Sequence, residues 1–437
     1  MAAPAFTPVV VVAAALAILQ CAGSIGLEAL NQRHARAHAH SIPEAFKNSL
    51  SPETHRRSVE YTLAKGRLSI VSAILDLVVF LAVIASGILP ASAGWMALDS
   101  ASSPWWGATW LLGVGAALSL PSLPLEWWAQ FRLEARFGFN TTTPGTWVAD
   151  RIKGLALSAA LGLPLLALLL FLVRAMGSLW WLWGFVAIAA FQVLVLFLAP
   201  AVILPLFNKF TPLPDGPLKD RLLALGERTG FHAATIQVMD GSRRSRHANA
   251  FFTGFGRFRK IALFDTLVEQ LTPEEIEAVL AHEIGHHQRR HIPRRLATAM
   301  LMMLAGFGAM GWLATQPWFA AGFGFAPGTG IAPTLLLFAL VSPAALFWAS
   351  PISHHWSRVH EFEADGYACN AMGSPVPLVT ALRKLSEKNL SNLTPHPWYS
   401  AFHYSHPTLV EREAALLARR GSGTSVDASG PAIPPTH

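Results

Sequence analysis

The chain alternates long apolar stretches with polar ones on the length scale of a lipid bilayer. A membrane-crossing helix needs about 20 mostly apolar residues, since each rises about 1.5 Å across a hydrocarbon core of about 30 Å. Seven stretches qualify, at 8–27, 68–92, 105–125, 154–173, 178–205, 296–318 and 331–350. The first, opening Pro8-Val-Val-Val-Val, has no Lys or Arg ahead of it. A secretory signal peptide starts positively, so this one reads as a retained helix. Pro121, Pro317, Pro333 and Pro343 interrupt the third run and the last two. Membrane helices tolerate this when neighbours satisfy the freed carbonyls.

The chain therefore divides into five predicted parts. Residues 1–205 hold membrane helices one to five with their loops, and 296–350 hold helices six and seven. Between and after them lie two sizeable polar segments, 206–295 and 351–420, which fall on the same face and can pack together. The small, polar stretch 421–437 has no apolar period and is predicted to be disordered. No internal repeat of the transporter kind is visible.

Composition agrees with that layout. Charged residues make up 14% and mean hydropathy is +0.40, against about 25% charge in a soluble domain. Lipid contact replaces the missing charge, and disorder is excluded for most of the length. Cys21 and Cys369 are too far apart in sequence to suggest a disulfide framework or a Cys-based zinc cluster. A net charge of +7 would suggest a nucleic-acid partner in a soluble protein. Here its distribution says otherwise. All but one of the 33 Lys and Arg lie in alternate connections, leaving Arg174 alone on the other side. The positive-inside rule makes the basic side cytoplasmic, with the N-terminus outside and the C-terminus inside. The expected partner of the charge is the bilayer, not nucleic acid. Asp76, inside the second run, is expected to face water or a partner.

The strongest chemical signal is His282-Glu283-Ile284-Gly285-His286. Thr272, Pro273 and Glu275 spell a helix start with a capping box, and Ile276, Val279 and Leu280 continue at helical spacing. His282 and His286 then share one helix face and can chelate a metal, while Glu283 reaches a metal-bound water as general base. Five-residue matches also arise by chance on amphipathic helices. His287 and His291 are expected on the solvated side. A catalytic zinc needs a third protein ligand, and His360-Glu-Phe-Glu-Ala-Asp365 follows the last apolar run. Glu361 and Asp365 share a helix face, so one can ligate and the other can orient a histidine. Glu363 is expected at the surface, although spacing alone leaves Glu361 and Glu363 both open. Two His, a carboxylate and an open position favour zinc. Arg243, Arg244 and Arg246 fit a basic loop near anionic lipid.

Beyond these, the chain resembles the type I CAAX prenyl proteases, integral-membrane zinc metalloproteases distantly related to the heat-shock membrane proteases. The resemblance covers about residues 30–415. It runs through Leu50-Ser-Pro-Glu-Thr54, Gly138-Phe-Asn140, Asp150-Arg-Ile-Lys153, Leu206-Phe-Asn-Lys-Phe210, Asp240-Gly-Ser-Arg-Arg-Ser245, His247-Ala-Asn-Ala-Phe-Phe252 and Leu263-Phe-Asp-Thr-Leu267. It ends with Glu361-Phe-Glu-Ala-Asp365, His403-Tyr-Ser-His-Pro407 and Glu411-Arg412. The resemblance implies an all-α polytopic membrane protein, about seven helices around a chamber, with a small α+β zincin-like catalytic domain on the cytoplasmic face. It implies one zinc per chain on His282, His286 and Glu361, with Glu283 as base and Asp365 as proton donor or histidine orienter. His406 is then the oxyanion partner, and Asn249 and Arg412 the substrate-contacting positions. Without it, His406 reads as a helix-cap neighbour or core histidine.

The implied reaction is hydrolysis near the C-terminus of prenylated (CAAX-type) or hydrophobic peptides. A membrane-protein quality-control protease is the enzyme alternative, and a seven-helix transporter or receptor with a structural metal is the alternative of another class. Composition rich in Ala and Arg points to a bacterial plasma membrane, with the endoplasmic reticulum membrane the setting in a eukaryote.

Overall fold

The computed structural model describes residues 7–47, 50–99, 101–231, 235–253 and 260–421. The tail expected to be disordered lies, past Gly421, outside them. Five spanning helices come first: α1 (Pro8–Ala37), α2 (Pro52–Ala85), α3 (Pro104–Phe137), α4 (Pro144–Ala175) and α5 (Gly177–Phe207). A sheet segment follows, with β1 (Phe210–Pro212), α6 (Pro217–Thr229), β2 (Thr235–Met239), β3 (Ala250–Thr253), β4 (Lys260–Phe264) and α7 (Pro273–Gln288). The sixth span is α8 (His291–Ala314). The seventh is one long rod, Ala332–Met372, made of α9 (Ala332–Leu346), a tight turn at Phe347–Ala349 and α10 (Ser350–Met372). The chain closes with α11 (Val376–Lys388), α12 (Pro397–His403) and α13 (Leu409–Gly421).

Seven membrane helices are what the apolar runs predict, although some limits differ. Thr7, Ser51 and Thr143 cap α1, α2 and α4 by accepting a backbone N–H three residues on, each followed by proline at the start of the helix. α2 therefore begins in the polar loop at Pro52 and stops at Ala85, short of the predicted run. Gly87, left-handed at φ 72°, ends it, and Ile88–Trp95 forms a separate short helix. α3 passes Pro121 by tightening at Leu120–Ser122 and then widening into a π-helical stretch, Ala129–Glu134. Such local adjustments re-satisfy carbonyls that proline frees.

The spans neighbour one another in a closed ring, α2–α1–α9–α8–α5–α4–α3 and back to α2. At one end a core of Val10, Ile84, Trp110, Leu170, Trp180, Met310 and Leu337 seals the ring. No span buries more than 22% of its most apolar window, which leaves most of that apolar surface for lipid.

The other end carries a four-stranded sheet, ordered β1-β2-β4-β3. β2 and β4 run parallel, and β3 pairs antiparallel with β4, which leaves β3 at an edge. Beneath the sheet, one core joins Leu222, Leu225, Leu263, Ile276 and Ile284 to Leu378 and Leu416. The two polar segments are thus one packed body. Smaller clusters fasten the loops of the first three spans to it, with Tyr61, Phe137 and Phe139 on Leu390, and Phe46 and Leu50 on Leu393. The cation-rich connections accordingly gather at this end.

The capping box predicted for α7 is present: Thr272 Oγ1 accepts from Glu275 N, and Glu275 accepts from Thr272 N. α7 then crosses α10 at Gly285. A Cβ on Gly285 would lie 3.0 Å from Ala364 Cα, Ala364 O and Tyr367 Cβ, two of them backbone atoms. We expect Gly285→Ala to separate the two helices and cost about 1–3 kcal/mol, read as a lower thermal unfolding midpoint of the detergent-solubilised protein.

Candidate metal centre

Where α7 and α10 cross, three side chains converge. His282 Nε2 and His286 Nε2 are 3.2 Å apart. Glu361 from α10 places its oxygens 3.4 Å from the first and 3.3 Å from the second. These spacings match the edges of a tetrahedron with bonds of about 2.0–2.1 Å, the usual zinc geometry. Glu361 is 1% exposed, and its Oε2 is buried without a hydrogen-bond partner. An orphaned carboxylate oxygen is costly unless a cation meets it. The donor set therefore fits a bound divalent metal.

The surrounding hydrogen bonds aim both histidines. An ionised carboxylate only accepts, so Asp365 Oδ1, 2.8 Å from His282 Nδ1, takes that proton and turns the Nε2 lone pair toward the cluster. Arg412 holds Asp365 in turn, from Nε at 2.8 Å and a second nitrogen at 2.5 Å. On the other histidine, His286 Nδ1 lies 3.0 Å from His291 Nδ1, and His291 Nε2 lies 2.8 Å from Glu363 Oε2. Glu363 accepts from His291, which accepts from His286, so the Nε2 lone pair of His286 also faces the cluster.

Two expectations are corrected here. His291 is not solvated but 1% exposed, and Glu363 is its partner and not a free surface acid. The helical wheel fails because α7 ends before His291. Arg290 takes a left-handed turn at φ 55°, and α8 begins by folding His291 back over His286. His291 also stacks on His360, ring centroids 4.1 Å apart.

Burial alone would lower the pKa of His282, yet the neighbouring carboxylates of Asp365 and Glu361 push it up to about 9. The same field favours any cation held between the three donors. Burial raises the Glu283 carboxyl above its ordinary range, which suits a group that takes up and returns a proton. His406 Nε2 stands 3.5 Å from Glu361 Oε1, and partial desolvation lowers its pKa against the pull of that carboxylate. Its Nδ1 is 3.0 Å from Ser405 Oγ.

Asn249 lies exposed one residue before edge strand β3, its carbonyl accepting from Phe264 N. Arg412 lines a cavity beside the centre but directs its guanidinium at Asp365. Arg244 is a brace, with two nitrogens on Asp150 and a third on Asn208. Arg295, whose Nη2 is 3.7 Å from Glu361, carries no signal in the sequence, whereas His291 is named there but assigned to solvent. The available signal for His291 was its place just past the motif.

A ring of membrane helices closed by a buried two-histidine, one-carboxylate centre defines a membrane-embedded metalloprotease. Comparison with known proteins agrees. Residues 31–209 match the CAAX prenyl protease N-terminal model, described as five membrane helices, and 212–420 match peptidase family M48. The chain is 36% identical over 410 residues to CAAX prenyl protease 1 of Saccharomyces cerevisiae, spanning 86% of this chain and 88% of that protein. It is 33% identical over 386 residues to the CAAX prenyl protease 1 homolog of Oryza sativa subsp. japonica, spanning 86% and 90%. The crystal structure of S. mikatae Ste24p superposes with a TM-score of 0.86 at 34% identity, covering 94% of this chain and 99% of that one. The chain belongs to the CAAX prenyl protease family, peptidase family M48. These relatives are eukaryotic and lend no support to a bacterial setting.

We expect His291→Ala to weaken metal binding by about 10–100-fold, measured by chelator competition on the purified protein, with the fold retained by circular dichroism.

Proposed function

We propose that the protein is a zinc endopeptidase that cleaves near the C-terminus of prenylated CAAX-type peptides. The carrying observation is the tetrahedral spacing of His282, His286 and Glu361 around the orphaned Glu361 oxygen. It is supported by family membership and by the names of the similar proteins. The basic end of the ring would face the cytoplasm, following the cation asymmetry.

His282, His286 and Glu361 would hold the metal, which when bound supplies a Lewis acid and an acidified water. Glu283 takes a proton from the attacking water and returns it to the leaving amine. Asp365, held by Arg412, keeps His282 in the ligating tautomer. With Ser405 donating to Nδ1, His406 carries its proton on Nε2 and offers it to the oxyanion that develops on the scissile carbonyl. The exposed edge of β3, entered at Asn249, pairs with substrate backbone. A structural metal in a transporter has no use for a buried carboxylate beside the ligands.

Glu283→Gln is expected to retain metal by elemental analysis while cleavage of a farnesylated CAAX peptide falls by about 10²–10⁴-fold. His406→Ala is expected to lower kcat by about 10²–10³-fold with little change in KM. Equal cleavage by wild type and Glu283→Gln would refute the mechanism.

A further inference from the structure

Beside the metal centre lies a cavity of about 780 Å³, with His406, Pro407 and Arg412 at its wall together with Tyr61, Lys65 and His247. If cleavage falls near the substrate's C-terminus, as proposed above, the few residues beyond the cut need space next to the metal, and their chain ends in a carboxylate. Three extended residues span about 10 Å, and a cavity of this volume is within the usual range for a peptide-sized ligand.

Two Lys or Arg side chains line that cavity, Lys65 and Arg412. Arg412 is 9% exposed and committed to Asp365. Lys65 is exposed and forms no ion pair within 4.0 Å among the described residues; its ammonium rests 5.2 Å from the centre of the Tyr61 ring. The mount is stiff. Tyr61 is 4% exposed, and its hydroxyl donates to Glu134 Oε1 at 2.8 Å. The other Glu134 oxygen faces His247 Nε2 at 3.5 Å, and His247 Nδ1 is 3.0 Å from Asn389 Oδ1. Phe139 stacks on the His247 ring. His247 leads directly into Asn249 and β3. A chain of contacts thus fixes the cation of α2 relative to the strand edge where substrate would pair.

We propose that Lys65 binds the substrate's free C-terminal carboxylate and so makes this site read the distance from the cut to the chain end. This inference rests on the proposed cleavage near a C-terminus. Two acids lie near: Glu134, which attracts the Lys65 charge but has its oxygens turned to Tyr61 and His247, and Glu28, buried at the cavity wall. Neither pairs with the ammonium within 4.0 Å, which leaves it open to an incoming anion.

The test uses two farnesylated peptides of identical sequence, one ending in a free carboxylate and one in a carboxamide, with the full-length metal-loaded protein in detergent. Wild type should cleave the acid with at least tenfold higher kcat/KM. Lys65→Met should lower kcat/KM for the acid at least tenfold, chiefly through KM, and leave the amide unchanged. Lys65→Arg should restore most of the loss. Retained amide cleavage by Lys65→Met is the internal control for folding. Equal wild-type rates on acid and amide, or equal losses on both in Lys65→Met, would overturn the carboxylate role alone. Cleavage of neither peptide by wild type would overturn the protease reading and this inference together.

Discussion

The close approach of α7 and α10 is the constraint on which the functional half of the molecule depends. Two ligand candidates come from one helix and the third from another, 75 residues further along the chain (Glu361 less His286). Their donor atoms reach tetrahedral spacing only because Gly285 lets the helices meet backbone to backbone at Ala364. A side chain there would hold Glu361 away from both imidazoles. The residue just before the second histidine is thus as restricted as its neighbours, for a reason of volume and not of reactivity.

Around that crossing, polarity is arranged in matched pairs. Asp365 with Arg412 fixes one histidine, and Glu363 with His291 fixes the other. Burying so many polar groups would be costly if any were unmatched. Only Glu361 keeps an oxygen without a partner within this cluster. A network satisfied everywhere except where a cation belongs leaves little latitude for the ligands to rearrange.

Much of this was legible in the sequence, and the reasons differ by element. Apolar run length gave the number of spans because the bilayer fixes it, while their limits were set by local chemistry: Ser51 started α2 early and Gly87 stopped it. Thr272, Pro273 and Glu275 announced α7 because a capping box is a short-range device. The Glu361–Glu363 choice was not available from spacing, since both lie on one helix and their environments come from elsewhere in the chain. His291 was misread because periodicity extends only as far as the helix does, and Arg290 ends it. Lys65 and Tyr61 carried no signal; their meaning comes from a cavity assembled by distant segments.

The last span has a mechanical consequence. The rod Ala332–Met372 is a spanning helix and the carrier of Glu361 at once. From Val341 to Glu361 the helix extends about 30 Å at about 1.5 Å per residue, so a tilt of about 2° swings the carboxylate by about 1 Å. Displacements of that size can cost about a hundredfold in rate. The seal of Trp110, Leu170, Trp180 and Leu337 at the far end of the ring grips this same element through Leu337, so packing there is linked mechanically to the placing of Glu361.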